Sequence, residues 1–159
     1  MEIVNTNQLK EDSWNSPKGN FGGAGKQVSV ALGRDPKSMN LNARHPFDVE
    51  ILRLEPGMKP YPYHSHSAQW EFYHVISGKG VVRHENGNTE ITEGDAFIFK
   101  PGEAHQMTNT GEVDLIIYVI ADNPVGESCH YPDSGKWAVS SPEKQIIRSE
   151  ALDYYDGEE

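Results

Sequence analysis

Length, composition and charge set the first limits on what this chain can be. Its 159 residues suit one globular domain with a core of its own. With 14 basic and 24 acidic side chains the formal net charge is −10 and the isoelectric point is about 5.1, which argues against nucleic acid or an anionic membrane surface as a partner. The single cysteine, Cys129, excludes an internal disulfide framework and favours a reducing, cytoplasmic compartment.

Residues 1–25 are polar, with Trp14 as an anchor and a glycine cluster near their end, and we expect a flexible lead-in. They lack the basic and apolar regions of a signal peptide, so we expect none. No run approaches the roughly 18 apolar residues of a membrane-spanning helix, so we expect no membrane partner. These features agree with a cytoplasmic location.

Short strands separated by turns are predicted across residues 26–140, which we expect to form the domain. Alternating, β-branched and aromatic runs predict the strands, and Gly and Pro clusters between them predict the turns. Asn86-Gly87 is the strongest hairpin signal in the sequence. The pattern predicts an all-β sandwich or barrel. The predicted strands are 26–33, 47–54, 71–76, 80–85, 88–93, 96–99, 105–109, 112–121 and, at an edge, 136–139.

The carboxyl-terminal part allows two interpretations. Residues 122–135 are rich in turn-forming residues and predict a long loop. Ser141-Pro142-Glu143 has the pattern of a helix start with proline in the first turn, whereas residues 146–152 also fit a strand. The last residues are acidic, and we expect 141–159 to be a tail at the surface of the domain.

Two histidines mark a candidate metal site. His64 and His66 are one residue apart, and because side chains alternate along an extended chain both imidazoles point to the same face. Glu71 begins the next strand, and His105 follows a Pro-Gly turn one hairpin away from it. An isolated His-x-His pair is often only a surface feature. A carboxylate and a third imidazole on neighbouring strands favour a metal site.

Two longer motifs contain these residues. The first is Gly57 to Gly78, with His-x-His and the glutamate between two glycines, and the second is Gly94 to Asn109, with Gly102 before the histidine. Together they resemble the two motifs of the cupin superfamily, and they depart from it at Lys100-Pro101, where the family usually has proline first. The resemblance implies a double-stranded β-helix, also called a jelly roll or cupin barrel. It also implies the metal ligands His64, His66, Glu71 and His105.

The donor set restricts the metal. Three imidazoles and one carboxylate without a thiolate suit Mn, Fe, Co, Ni or Zn, whereas calcium prefers oxygen ligands alone. Four protein ligands leave open positions on an octahedral metal, through which a substrate could bind. We therefore expect one divalent transition metal, and a small oxygenated molecule as substrate or ligand.

Three functions fit such a site, because the cupin fold alone does not choose among reactions. Residues 131–137 (YPDSGKW) resemble the tail of small single-domain bacterial cupins of the sugar-phosphate isomerase type, which makes a metal-dependent isomerase the first hypothesis. Neither motif offers an unliganded carboxylate as its base, and this counts against the hypothesis. The alternatives are an iron-dependent dioxygenase and a non-catalytic cupin that binds a small ligand.

Polar residues beside the ligands would set the reaction. Counting by two from Glu71 places Tyr73 on the ligand face, and Tyr61 precedes the ligands near the expected mouth of the barrel. These two tyrosines are the candidate catalytic residues. The candidate substrate-binding residues are Arg53, Lys59, Tyr63 and Gln69.

The oligomeric state is predicted from the resemblance and from two candidate edge strands, residues 26–33 and 136–139. An exposed strand edge attracts further strands, and a second subunit would cover it. We therefore expect a homodimer.

Overall fold

Three antiparallel sheets form the part of the chain that the computed structural model describes, residues 1–38, 40–140 and 144–158. Two single-turn helices accompany them, α1 Val28–Ala31 and α2 Leu41–Arg44. The strands are β1 Asp12–Asn15, β2 Gly22–Gln27, β3 Phe47–Leu54, β4 Ser65–His66, β5 Glu71–Ser77, β6 Lys79–His84, β7 Gly87–Thr92, β8 Ala96–Phe99, β9 His105–Asn109, β10 Leu115–Asp122, β11 Ser128–Tyr131, β12 Lys136–Val139 and β13 Gln145–Arg148.

The sheets are arranged in two facing layers. The larger layer has the strand order β1-β2-β3-β10-β5-β8. The other sheets have the orders β13-β12-β11-β4 and β7-β6-β9, and a bridge between His64 and His105 joins them, with N–H···O distances of 3.1 and 2.8 Å. This is the all-β double-stranded β-helix that the motifs predict.

The apolar core fills the space between the layers. Along β5 and β10 buried side chains alternate with outward-facing ones, as expected for strands with one covered face. The turn that closes the first motif requires glycine at Gly78, whose φ is 87°. A Cβ on this residue would lie 2.6 Å from the carbonyl oxygen of Asp114, next to the core residue Leu115. The buried core residues are Leu52, Leu54, Tyr73, Val75, Val82, Ile91, Met107, Leu115, Ile117 and Val119.

The first 27 residues differ from the expected lead-in, because β1 and β2 extend the larger sheet. The glycine cluster makes room for neighbouring side chains: a Cβ on Gly23 would lie 3.0 Å from Leu54 and 3.1 Å from the ring of Trp14. The strand predicted for residues 26–33 is therefore wrong beyond Gln27. Helix α1 follows instead, and its residues Val28 and Ser29 are buried against β3.

Neither predicted edge strand is an edge of its sheet. β2 lies between β1 and β3, and β12 lies between β11 and β13. The sequence could not show these neighbours, because β1 and β13 come from segments that were expected to be lead-in and tail. The edge-strand reason for a homodimer is therefore wrong, although the homodimer itself stays a prediction.

Most of the other predicted strands are confirmed. The predicted hairpin joins β6 and β7, but its turn is shifted by one residue: His84 and Gly87 are partners, so Glu85 and Asn86 form the turn. The predicted loop 122–135 is wrong at residues 128–131, which form β11. In the tail β13 supports the strand interpretation, and Ser141-Pro142-Glu143 lies outside the described residues. Among those residues, no helix is long and apolar enough to cross a membrane.

Candidate metal centre

Three strands bring the predicted metal ligands together. His66 ends β4, Glu71 begins β5 and His105 begins β9, while His64 lies opposite His105 in the bridge between the two smaller sheets. His64 and His105 are buried, at 9% and 2% exposure. The turns that precede each strand thus deliver all four side chains to one end of the barrel.

The four side chains point toward one another. The Nε2 atom of His105 lies 2.9 Å from Glu71 Oε2, and the Nε2 atom of His66 lies 3.5 Å from Glu71 Oε1. The ring of His64 is centred 4.7 Å from that of His105 and 5.1 Å from that of His66. One ligand atom each from His64, Glu71 and His105 lies within 4.8 Å of the other two.

Contacts of the Nδ1 atoms of His64 and His105 determine which ring nitrogen of each residue faces the cluster. Nδ1 of His64 lies 2.8 Å from the carbonyl oxygen of Pro62, and Nδ1 of His105 lies 3.1 Å from that of Glu103. Because a carbonyl oxygen only accepts, each Nδ1 donates its hydrogen. Burial, reinforced by the neighbouring His105, lowers the pKa of His64 to about 4, so its ring is neutral at pH 7 and its Nε2 carries a lone pair. This is the tautomer that binds metals.

The glutamate supplies negative charge to the same point. Burial by itself raises the pKa of Glu71, but the adjoining imidazoles of His105, His66 and His64 outweigh it and lower the pKa to about 2. Its Oε2 atom is buried and, within the described chain, has no hydrogen-bond partner. A buried anionic oxygen that faces imidazole nitrogens is best satisfied by a cation. These residues therefore fit a divalent metal, and could hold one.

Glu127 was not predicted, and it supports the cluster from outside. Its Oε1 atom lies 3.4 Å from Nδ1 of His66, and its two oxygens accept hydrogen bonds from the backbone N–H groups of Ser67, at 2.9 Å, and Ala68, at 3.1 Å. Nδ1 of His66 has no hydrogen-bond partner in the described chain, so the contact with Glu127 is electrostatic, and a carboxylate in this position raises the basicity of a ligating imidazole. The sequence hid it, because Glu127 lies in the segment that was predicted to be a loop.

Three of the four predicted ligands, His64, His66 and Glu71, lie in the wall of a cavity of about 500 Å³, a size typical of small-molecule sites. The register of the larger sheet gives two adjacent rows of inward-facing residues. One row is Asp48, Ala121 and Glu71, and the next is Glu50, Val119 and Tyr73. The small side chains of Ala121 and Val119 in the middle strand leave the cavity open between the two carboxylates of β3 and the side chains of Glu71 and Tyr73 on β5.

Three of the predicted substrate or catalytic candidates line this cavity. Tyr73 is buried on the ligand face, as predicted, and its hydroxyl lies 3.4 Å from Nε2 of His105. Tyr61 also lines the cavity and stacks on Trp14, with ring centroids 5.6 Å apart. Gln69 lines it as well and donates to the carbonyl of Asp122.

The other three candidates do not line the cavity. Arg53 points outward, because it alternates with the buried Leu52 and Leu54, and it pairs with Glu11 and Asp114, each at 3.1 Å. Tyr63 is buried beneath the guanidinium of Arg83, which lies 3.9 Å from its ring centre.

Lys59 belongs to the chain that enters the first motif, where its carbonyl accepts from Gly22 N–H at 2.9 Å. The cation that the structure brings to the cavity is Lys144. Sequence position near the ligands was thus a poor guide to which positive charge shares their cavity.

Several residues of the cavity wall were missed. Asp48 and Glu50 could have been found, because they stand at period two with Leu52 and Leu54, on the inward face of β3. Cys129 could not have been found. It reaches the cavity because β11 pairs with β4, which places Cys129 opposite His66, and the segment that forms β11 has no strand signal. Its thiol belongs to a second group of possible ligand atoms, with His64 and His66. Burial raises the pKa of the Cys129 thiol to about 11.

Comparison with known proteins agrees with the fold and the motifs. Residues 50–121 match the family model of the cupin domain. A crystal structure of a cupin-superfamily sugar phosphate isomerase from Silicibacter pomeroyi superposes with a TM-score of 0.77, at 20% identity, over 96% of this chain and 98% of that one. A Cupin 2 conserved barrel domain protein from Salinispora arenicola gives a TM-score of 0.52, at 16% identity, over 77% and 87%. Residues 50–121 are therefore similar to the cupin domain, and the fold of the chain is that of these cupin structures.

One relative has a name that describes a different function. An oxalate-binding protein from Thermotoga maritima is 37% identical over 65 residues, which are 40% of this chain and 52% of that protein. The match thus spans about half the length of the relative. Its name describes that protein alone.

Proposed function

We propose that the protein is a metal-dependent enzyme acting on a small oxygenated molecule, specifically an aldose–ketose isomerase of the sugar-phosphate isomerase type. The main support is that three of the candidate metal ligands, His64, His66 and Glu71, share one cavity with a set of unliganded carboxylates. An isomerase needs both a group that polarises a carbonyl and a group that moves a proton. The likeness in fold to the structure named as a sugar phosphate isomerase agrees with this reaction.

Each ligand would have a defined part in the site. His64, His66, Glu71 and His105 would hold the metal, one of Mn, Fe, Co, Ni or Zn. A divalent metal held there supplies Lewis acidity to an oxygen of the substrate. Tyr73 is fully enclosed, and burial raises the pKa of its hydroxyl, which therefore keeps its hydrogen at neutral pH. That hydroxyl is available to donate a hydrogen bond to a substrate oxygen.

The charges of the cavity bear on the alternatives. Within the described chain its wall has the carboxylates of Asp48, Glu50, Glu71 and Glu127 and one ammonium group, that of Lys144. A small dianion such as oxalate would lie close to several carboxylates, and like charges repel. A hydroxyl-rich sugar can instead donate hydrogen bonds to them. The carboxylates therefore favour the hydroxyl-bearing part of a sugar beside them, and Lys144 is available to its phosphate.

Proton exchange tests the proposed function. The protein is loaded separately with Mn²⁺, Fe²⁺, Co²⁺, Ni²⁺ or Zn²⁺ and incubated in D₂O with dihydroxyacetone, D-xylulose and D-fructose, each free and phosphorylated. We expect at least one pair of metal and sugar to show deuterium at the carbon next to the carbonyl, measured by NMR. The His66→Ala variant is the metal-free control. If no pair exchanges faster than this control, the isomerase proposal is wrong.

We also propose a homodimer, formed through a face of the sheet instead of its edges. On the outer side of the larger sheet Phe72 pairs with Ile98 and Ile120, and Ile76 lies further along the same strand. Phe72, Ile76 and Ile98 are 36%, 46% and 48% exposed. An apolar sheet face of this kind can be covered by its own copy around a two-fold axis.

Light scattering tests the dimer. We expect the wild type to have twice the 17.8 kDa mass of one chain, and the double variant Phe72→Glu/Ile98→Glu to have the mass of one, because charges on a buried face are costly. Ile146→Glu, at an exposed position on β13, is the matched control and should stay dimeric. A wild type that stays monomeric at high concentration contradicts the proposal.

A further inference from the structure

Glu50 occupies the cavity wall across from the metal cluster. It stands on β3, outside both cupin motifs, and its side chain points inward between the mouth of the cavity and the apolar core. We propose that Glu50 is a catalytic residue, the acid–base group that takes a proton from the carbon next to a substrate carbonyl and returns it to the neighbouring carbon. This inference rests on the proposed isomerase function.

The register of the sheet places Glu50 within reach of a substrate at the cluster. Glu50 pairs with Val119, and Val119 pairs with Tyr73, whose hydroxyl touches His105. Glu50 and Tyr73 therefore face the same side from strands two apart, a backbone separation of about 10 Å. Glu50, Val119 and Tyr73 all line the cavity of about 500 Å³, which has room for a small sugar.

The three tyrosine hydroxyls and the thiol of the cavity cannot serve as the base. Burial raises the pKa of Tyr61 and Tyr73, and it raises the pKa of Tyr131 to about 12 and that of Cys129 to about 11. All four groups therefore keep their hydrogens near neutral pH and can only donate or relay them. Base catalysis in this cavity is left to its carboxylates.

Two of those carboxylates are committed elsewhere. Asp48 forms an ion pair with Arg34 at 3.0 Å and accepts a hydrogen bond from the hydroxyl of Ser29. Glu127 accepts two backbone N–H groups and supports His66. With Glu71 in the metal cluster, Glu50 is the carboxylate of the described cavity wall that has neither a cationic partner nor a metal-facing position.

The surroundings of Glu50 suit a group that must exchange protons. The amide of Gln27 donates to its Oε2 atom at 2.7 Å, which positions the carboxylate. Burial raises its pKa, the Gln27 hydrogen bond opposes the rise, and the charges of Asp48 and Glu71 reinforce it. A carboxylate whose pKa is raised toward neutrality is a better general base and a better acid on the return step.

The reaction balances without an oxidant or reductant. Glu50 removes the proton from the hydroxyl-bearing carbon beside the carbonyl, and the electron pair of that C–H bond becomes the C=C bond of an enediolate. The former carbonyl oxygen takes the negative charge and then a proton from the neighbouring hydroxyl. Glu50 returns its proton to the former carbonyl carbon as the new C=O forms, so that an aldose becomes a ketose or the reverse.

The test compares Glu50→Gln with the wild type in the D₂O exchange assay, on the six probes and five metals given above. Metal content is measured by elemental analysis and folding by circular dichroism. Glu90→Gln, at an exposed position on β7, is the matched control. We expect Glu50→Gln to keep the metal and the fold while exchange slows by about 10²- to 10⁴-fold, and Glu50→Asp to restore part of the rate.

The outcomes separate the two proposals. If the wild type exchanges and Glu50→Gln exchanges at the same rate with the same metal content, the role of Glu50 is wrong and the isomerase stands. If the wild type does not exchange with any probe, both are overturned. If Glu50→Gln does not fold, Glu50→Asp decides: it keeps the charge but withdraws it by one methylene, so an unchanged rate overturns the role of Glu50.

Discussion

The variants His66→Ala and His105→Ala, purified under conditions in which the wild type holds a stoichiometric metal, should contain almost none. Each removes one imidazole from a cluster that faces the carboxylate of Glu71. Three remaining ligands bind a divalent metal far more weakly, and the buried carboxylate loses a neighbour that satisfies it. Elemental analysis of the purified proteins measures the loss.

Glu127→Gln provides a graded companion to these variants. It keeps the shape of the side chain but removes the charge next to Nδ1 of His66, so we expect metal affinity to fall by about 10- to 100-fold without being lost. His74→Ala is the matched control, because His74 lies on β5 three residues after Glu71 but faces away from Tyr73 and the cavity. Circular dichroism should show the same β fold for every variant. Full metal content in both His66→Ala and His105→Ala would contradict the assigned site.

The motifs predicted the cluster because each of its parts can be recognised from a short stretch of sequence. These parts are a His-x-His pair, a strand that begins with glutamate and a turn before His105. Alternation along the strand then placed Tyr73 on the correct face. The same rule, counted from Leu52 and Leu54, would have turned Arg53 outward and Glu50 inward. Because this rule was applied only near the motifs, Arg53, which points away from the cavity, was included among the candidates.

The remaining errors concern contacts between distant segments. Gly23 looked like part of a flexible lead-in, because its sequence shows no sign of the Trp14 and Leu54 side chains that pack on it. Residues 136–139 looked like an edge, because nothing in the sequence shows that the possible strand in the tail pairs with them. Which strands become neighbours is a property of the whole topology, and a residue such as Glu127 reaches the site only through it.

Metal-free protein should become less stable as the pH falls from 6.5 to 4, and His64 is the main reason. In the unfolded chain its imidazole has an ordinary pKa of about 6.5, whereas in the folded protein burial and the neighbouring His105 lower the pKa to about 4. Between these values the unfolded state binds a proton that the folded state does not. Stability therefore falls as the pH drops through this window, by at most about 3 kcal/mol for a shift of this size.

Glu71 acts in the same direction in a lower window. Its pKa falls from 4.5 to about 2 on folding, so its contribution is present above pH 4.5 and is lost as the pH falls toward 2. Urea unfolding of chelator-treated protein at pH 7, 6, 5 and 4.5 covers the His64 window, in which the raised pKa of Glu50 acts in the opposite direction. The variant His64→Asn, which cannot take up a proton, should lose most of the slope, and His74→Asn should keep it. An equal slope in the wild type and in His64→Asn would contradict this assignment.

Added metal should shift this balance. A metal present at a hundredfold excess over its Kd, bound to the folded state alone, adds about 2.7 kcal/mol to the free energy of unfolding. Protons compete with the metal for an imidazole once the pH approaches or falls below the pKa that this imidazole has in the metal-free folded protein. An ordinary histidine would begin to release metal near pH 6.5, but the lowered pKa of His64 moves its own competition down toward pH 4. The stabilisation by metal, measured as the difference between metal-treated and chelator-treated protein, should therefore respond to His64 protonation only at the acid end of the series.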